Sequence, residues 1–289
     1  MKILLLGKSG QVGFELKRAL SPFGDIVAPN RYELDLAKLD AVNDFVNKTK
    51  PDVIVNAAAW TDVDGAEVNK NSALRLNTIL PTLLATYAKE KQCKLVHYSS
   101  DYVYPGTGTQ AWSEESQTNP INYYGVTKLD GDQAIEDSET DYLIFRTSWV
   151  YSARRNNFMK TMLRLAESKR ELGIIDDQIG SPTTARLIAQ TTVLALHSNL
   201  KAGVYNLAAK GYISWHKFAE SIFSKAKLFD FDSALEKVNA IPTQDYPTPA
   251  KRPLNSRMNV SKLESALNIT MPSWEDELAD TLEEYLEKK

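Results

Sequence analysis

Tyr124 and Lys128 stand four residues apart in Tyr-Tyr-Gly-Val-Thr-Lys, downstream of Ser100 in Tyr-Ser-Ser-Asp. On a helix, residues four apart share one face, so a phenol and an ammonium can meet at one point. A neighbouring cation favours phenolate and lowers a tyrosine pKa from about 10 toward the working range of a general acid. Tyr123 lies five before Lys128, off that face, and the spacing selects Tyr124. A hydroxyl, an acidified phenol and an ammonium suit the reduction of a carbonyl: a hydride arriving at carbon leaves negative charge on oxygen, which needs a proton and preorganised donors. A Tyr-x-x-x-Lys pair alone is common on amphipathic helices, so its meaning depends on its surroundings. Ser100 alone also reads as a strand-end hydroxyl capping local backbone.

The first of those surroundings is Gly7-Lys8-Ser9-Gly10-Gln11-Val12-Gly13, which follows an apolar run and opens an amphipathic one. Strand, glycine loop and helix are the context a dinucleotide pyrophosphate requires. Gly7 and Gly10 allow a tight turn and close backbone approach. The helix terminus near Gln11 presents free N–H groups and a positive dipole end, and Gly13 permits close helix-to-strand packing. The spacing is Gly-x-x-Gly-x-x-Gly rather than the Gly-x-Gly-x-x-Gly of most dehydrogenases. After the second strand comes Pro29-Asn30-Arg31, with no acidic residue to grip ribose hydroxyls. Arg31 suits a 2′-phosphate, which favours NADPH with NADH possible; a plain surface arginine is the alternative. Asp35 and Leu36 are placed to border the adenine.

The elements that must position these groups follow a βαβ rhythm, the pattern of a parallel sheet. Strands are expected at residues 2–6, 25–28, 52–56, 94–99 and 142–147, and helices at 12–20, 39–48, 73–91 and 123–135. Beyond Trp149 the regularity weakens. Helices are expected at 158–167, 185–197, 215–226 and 274–287, short strands near 173–176 and 204–207, and an ordered proline-rich loop over 241–253. The expected fold is α/β: a Rossmann-type doubly wound parallel sheet over 1–150, and a smaller α/β substrate-binding region over 151–289, some of whose segments return to the sheet.

With 34 basic and 37 acidic side chains among 289 residues, and no long basic run, neither nucleic acid nor an anionic membrane is an expected partner. No stretch approaches the roughly 20 apolar residues of a membrane span. The apolar start stops at Gly7 without a cleavage pattern, so it reads as a buried strand rather than a signal peptide. A single cysteine, Cys93, fits a reducing cytoplasm, and three scattered histidines argue against a zinc site.

These motifs, with Asn56-Ala57-Ala58-Ala59 and Ser99-Ser100-Asp101 at the ends of the third and fourth strands, resemble the extended short-chain dehydrogenase/reductase family, which carries a Ser/Thr, Tyr, Lys trio on a Rossmann sheet. The stretches 56–67, 98–106, 146–151, 176–183 and 247–253 carry the resemblance through nearly the whole chain, toward the members that reduce a dTDP-linked sugar. It implies NADPH-dependent reduction of a C4 ketone to give dTDP-L-rhamnose, with Ser100, Tyr124 and Lys128 catalytic. By position, Gly10, Gln11 and Val12 meet the cofactor pyrophosphate, Ala59, Trp60 and Thr61 line its path, and Tyr98 lies beside the same channel. Val63, Asp101 and Trp149 face the sugar. Trp149 would be a flat wall for it, or else an ordinary core tryptophan. Arg252 is a candidate for the sugar-nucleotide diphosphate, because guanidinium suits bidentate phosphate binding, or else a loop arginine in water.

Nucleotide-sugar epimerases and dehydratases of the same family share the tyrosine and lysine. A 4,6-dehydratase needs a further acid and base, usually an Asp-Glu pair after the serine or threonine. Here Asp101 is followed by Tyr102, which disfavours dehydration. Another nucleotide-sugar reductase, an epimerase, and a non-catalytic regulatory subunit on the same fold remain the alternatives. A hydrolase is disfavoured for want of a Gly-x-Ser-x-Gly elbow or a histidine near Ser100. Some family members dimerise through magnesium held by an acid in the first helix and two in the helix after Ser-Pro-Thr. Glu15 fits the first place, but Arg186 and Gln190 occupy the others and cannot supply carboxylates. A monomer or a homodimer without that metal bridge is expected, and no metal.

Overall fold

The computed structural model describes residues 1–287. A six-stranded, wholly parallel sheet is built from β1 (Lys2–Leu6), β2 (Asp25–Val27), β3 (Val53–Asn56), β4 (Lys94–Ser100), β5 (Tyr142–Thr147) and β10 (Gly203–Asn206), in the order β10-β5-β4-β3-β1-β2. Between them run α1 (Gln11–Ala19), α2 (Leu39–Thr49), α5 (Leu80–Lys91) and α6 (Tyr123–Asp137). Alternation along each strand divides its apolar side chains between two faces. Ile3, Leu5, Val55, Val96 and Phe145 enter one core, which α1 and α8 (Ala185–His197) cover; Leu4, Leu6, Ile54, Leu95 and Ile144 enter the other, which α2 and α5 cover. The chain leaves β1 for β2 on one side and β3 on the other. The crevice beyond the carboxyl ends of β1 and β3 is therefore the switch point where ligands of such sheets bind.

The remainder is a smaller lobe of short pairings. They comprise β7 (Glu171–Ile175) with β12 (Lys237–Ile241), β6 (Val150–Tyr151) with β9 (Thr183–Thr184), and β8 (Ile179–Gly180) between β11 (Ile213–Ser214) and β13 (Asn255–Ser256). Around them lie α7 (Phe158–Ala166), α9 (Trp215–Ala226), α10 (Ser261–Leu267) and α11 (Trp274–Leu286). This lobe shares a core with the sheet, since Phe218, Trp274 and Leu278 belong to the same apolar cluster as Leu5 and Val96.

Three differences from the sequence expectation bear on the site. The single helix expected over 73–91 is α4 (Lys70–Leu74), a π-helical turn (Arg75–Ile79) and α5, because the chain widens there to bring in Asn77. An unexpected helix, α3 (Val63–Val68), is started by Asp62, whose carboxylate accepts from Gly65 N at 2.9 Å. The proline-rich loop is preceded by the unexpected strand β12, which ends at Ile241, and is tied to the start of α6 by Asn122 Nδ2 donating to Lys251 O at 2.7 Å. Among the described residues, no helix is long and apolar enough to cross a membrane.

Candidate active site

Ser100 ends β4, and the following 3-10 turn (Asp101–Val103) faces the first turn of α6. Asn122 caps α6, its carbonyl accepting from Gly125 N at 2.8 Å. Gly125 lets the two meet: a Cβ there would lie 2.3 Å from Tyr102 O. This close approach leaves Tyr124 hydrogen-bonded to Ser100. Ser100 Oγ in turn donates to Asp101 Oδ1 at 3.1 Å and accepts from Tyr102 N at 3.2 Å. Burial holds the Tyr124 phenol up at about 12, against the lowering effect of Ser100. Burial also raises Asp101 to about 7, against hydrogen bonds from Ser256 and Ser100.

The expectation that Lys128 acidifies Tyr124 is corrected here. Lys128 is buried, and its Nζ donates to Tyr98 O at 2.6 Å and lies 3.2 Å from His97 Nε2. It faces β4 rather than the phenol, and burial lowers it to about 8. At neutral pH the phenol is therefore fully protonated, the state a proton donor needs.

A cleft of about 1080 Å³ runs from this trio to the glycine loop. Gly7, Gly10, Gln11 and Val12 line one end, with Arg31, Asp35 and Leu36 beside them. Ala59, Trp60, Thr61, Val63 and part of Tyr98 form the middle, and Ser100, Asp101, Tyr124, Lys128 and Trp149 the far end. Gly7 has φ +83°, and a Cβ there would sit 2.7 Å from Ala57 C, so the loops after β1 and β3 touch only because it is glycine. Gly10 would meet nothing closer than 3.4 Å, leaving its backbone and the start of α1 open to a pyrophosphate.

The remaining expected residues stand in different relations to the cleft. Gly13 is not on the cleft: its missing Cβ would lie 2.1 Å from Gly7 O, so it seats α1 under the loop. Gln11 turns its side chain inward, Oε1 accepting from Ser152 Oγ at 3.0 Å and Asn157 Nδ2 at 2.9 Å, which leaves its backbone to the cleft. The Tyr98 ring, one residue from His97 on an alternating strand, points to the opposite face, where its hydroxyl bonds Thr192 at 2.8 Å. Arg252 is off the cleft, its guanidinium 2.6 Å from Asp64 and bonded to Tyr102. Tyr102 packs edge-on against Tyr124, ring centroids 5.5 Å apart, where a dehydratase would carry its second acid.

Other site residues had no motif to mark them. Asn77, wholly buried in the π turn, accepts from Trp60 N at 2.8 Å and donates to Trp60 O and Thr127 Oγ1, both at 3.1 Å, so it ties the cleft wall to α6. Trp215 also lines the cleft and stacks on Trp149 at 3.5 Å between centroids, covering one face of the expected sugar wall. Arg155 reaches over the glycine loop, Nε donating to Ser9 O at 2.7 Å, and adds a cation to the phosphate end. Its place in an irregular segment gave no signal in the sequence.

A doubly wound sheet with this glycine loop and a Ser-Tyr-Lys set at the end of its fourth strand is the arrangement of extended short-chain dehydrogenases/reductases. Within that class, the chain belongs to the family described as the RmlD substrate binding domain, whose model matches residues 1–287. It is 46% identical to a dTDP-4-dehydrorhamnose reductase of Salmonella typhimurium over 283 residues, 95% of each chain. A dTDP-4-dehydrorhamnose reductase of Clostridium acetobutylicum superimposes with a TM-score of 0.91 at 33% identity, over 98% of this chain and 99% of that one. One from Bacillus anthracis, solved in complex with NADP, does so with 0.90 at 33% identity and the same coverage.

Proposed function

We propose that this protein reduces the C4 ketone of dTDP-4-dehydro-L-rhamnose to dTDP-L-rhamnose with NADPH, the last step in making that nucleotide sugar. The observation that carries the reading is the Ser100–Tyr124 pair, set beside the buried Lys128 at one end of a cleft whose other end is an open glycine loop. The names of the reductases it resembles support the substrate. The residues fit a dinucleotide: Gly7 and Gly10 leave room for a pyrophosphate, Arg31 and Arg155 supply cations, and Ala59, Trp60 and Thr61 give a path to the trio. NADPH, when bound, supplies the hydride.

The chain's own groups handle the oxygen. The Ser100 hydroxyl, which points its one proton at Asp101 in the structure, has to turn it to the ketone oxygen, where it and Tyr124 meet the developing charge. Tyr124 gives up its proton, and Lys128, which in the structure faces β4 and does not lower the phenol's pKa, has to turn from Tyr98 O to offset the phenolate left behind. Trp149, backed by Trp215, offers its remaining face to the sugar. Residues 1–150 carry the cofactor, and 151–289 mainly the nucleotide-sugar side. Arg252, held by Asp64 and Tyr102, lies beyond the trio and serves the diphosphate by exchanging Asp64 for it. The buried Cys93 thiol, raised to about 11 by burial, suits a reducing cytoplasm.

Purified protein given dTDP-4-dehydro-L-rhamnose should oxidise NADPH with formation of dTDP-L-rhamnose; no oxidation, or a product epimeric at C4, overturns the assignment. Arg31→Ala should narrow the preference for NADPH over NADH by about 10-fold, the worth of one charge-assisted contact. An unchanged ratio removes Arg31 from the 2′-phosphate.

No metal-bridged dimer is expected. Glu15 is buried in the middle of α1 and faces Arg18 one turn on, and Arg186 is bonded to Glu284 on α11. Any dimer in light scattering should survive EDTA, and an EDTA-sensitive dimer contradicts this.

A further inference from the structure

His97 is a buried histidine that the proposed mechanism leaves unused, and it touches the lysine the mechanism depends on. It stands in β4 as the register partner of Asn56 in β3, both residues 1% exposed. Its Nδ1 lies 3.2 Å from Asn56 Nδ2, and its Nε2 lies 3.2 Å from Lys128 Nζ. Asn56 Oδ1 is turned away, accepting from Ala58 N at 3.3 Å. Both neighbours of the ring are thus nitrogens able to donate.

Burial, and then the charge of Lys128, hold His97 well below its ordinary pKa, so the ring carries one proton at neutral pH. With one proton, one ring nitrogen accepts and the other donates. If Lys128 is an ammonium, Nε2 must be bare, Nδ1 carries the proton, and Asn56 must present its carbonyl oxygen. If Lys128 is an amine, Nε2–H can donate to it, Nδ1 is bare, and the Asn56 amide donates as placed in the structure. The other charged and titratable groups around Lys128 are Tyr124 and Asp132 on its own helix; Asp132 accepts from Ser99 on β4 and from Arg146 on β5. None of these touches His97 or can shift its proton.

We propose that His97 is the positioning residue that sets the charge and aim of Lys128: its tautomer, read through the Asn56 amide, changes with the protonation of the lysine. The inference rests on the reductase reading for its significance, but not for its geometry. Asn56 leads directly into the Ala57–Ala59 wall of the cleft, so the lysine's charge is coupled to the strand end that a cofactor passes.

The decisive measurement is ¹⁵N NMR of protein labelled at histidine, of which there are three, with His97 assigned by its loss in His97→Gln. Below about pH 8, where Lys128 is charged, His97 should show a protonated Nδ1 and a bare Nε2; above it, the reverse. A single tautomer from pH 6 to 10, or a doubly protonated ring, overturns the proposal whether or not the protein turns over substrate. In kinetics, His97→Phe removes the acceptor, and the alkaline limb of kcat should move down by about one pH unit, while His97→Gln, which both donates and accepts, keeps it in place. A limb in His97→Phe that superimposes on the unsubstituted enzyme's overturns it as well. Should His97→Phe fail to fold, the labelled protein still decides.

Discussion

Tyr124→Phe is expected to lower kcat by about 10²- to 10⁴-fold, the usual contribution of a positioned general acid, with NADPH affinity almost unchanged. The phenyl ring keeps the edge-on packing against Tyr102 and removes only the hydroxyl bonded to Ser100. Turnover with the nucleotide sugar and a fluorescence titration with NADPH separate the two effects. Activity within a factor of a few of the unsubstituted enzyme would reject the mechanism, whereas a parallel loss of cofactor binding would mean that the ring had moved.

Arg146→Leu is expected to cost about 3–5 kcal/mol of folding stability, because it leaves the buried Asp132 without its cation. Arg146 Nε lies 3.2 Å from Asp132 Oδ2, with side-chain exposures of 5% and 0%, and its Nη1 donates to Tyr104 Oη at 3.2 Å. Asp132 sits one turn beyond Lys128 and also accepts from Ser99 at 2.8 Å, so the pair clamps the middle of α6 to β4 and β5. Thermal unfolding should show a fall on the order of 10 °C. Replacing both partners by leucine should recover much of it, since no charge is then left buried. A single-variant loss below about 1 kcal/mol would show that water reaches the carboxylate.

The sheet was legible in the sequence because its strands are short apolar runs buried on both faces and separated by helical patterns. Five strands, with α1, α2 and α6 between them, fall within a few residues of expectation. Legibility ended where one residue's bond decides a shape. Nothing in Arg75–Ile79 distinguishes a π turn from an α turn, and Asp62 starts a helix too short to show a period. The site divides in the same way. Spacing placed Tyr124, Lys128 and Ser100 together, but it could not tell which way Lys128 leans, because that depends on His97 and Tyr98 O across the sheet. Gln11 and Tyr98 lie where the resemblance put them while aiming their side chains elsewhere. Trp215, some 66 residues from Trp149, has no local pattern to announce it.

The wide turn at Arg75–Ile79 also sets a phase. An α-helix advances about 100° per residue, so the extra residue held in a π turn rotates everything after it relative to everything before. Asn77 faces Trp60 and Thr127 at once only because that rotation is stored there. Losing one residue from this turn would leave the helix intact and all its apolar side chains present, yet would swing the asparagine off both partners. The separation between the cofactor's path and the proton donor is thus kept by a count of residues in one helix, none of which takes part in the reaction.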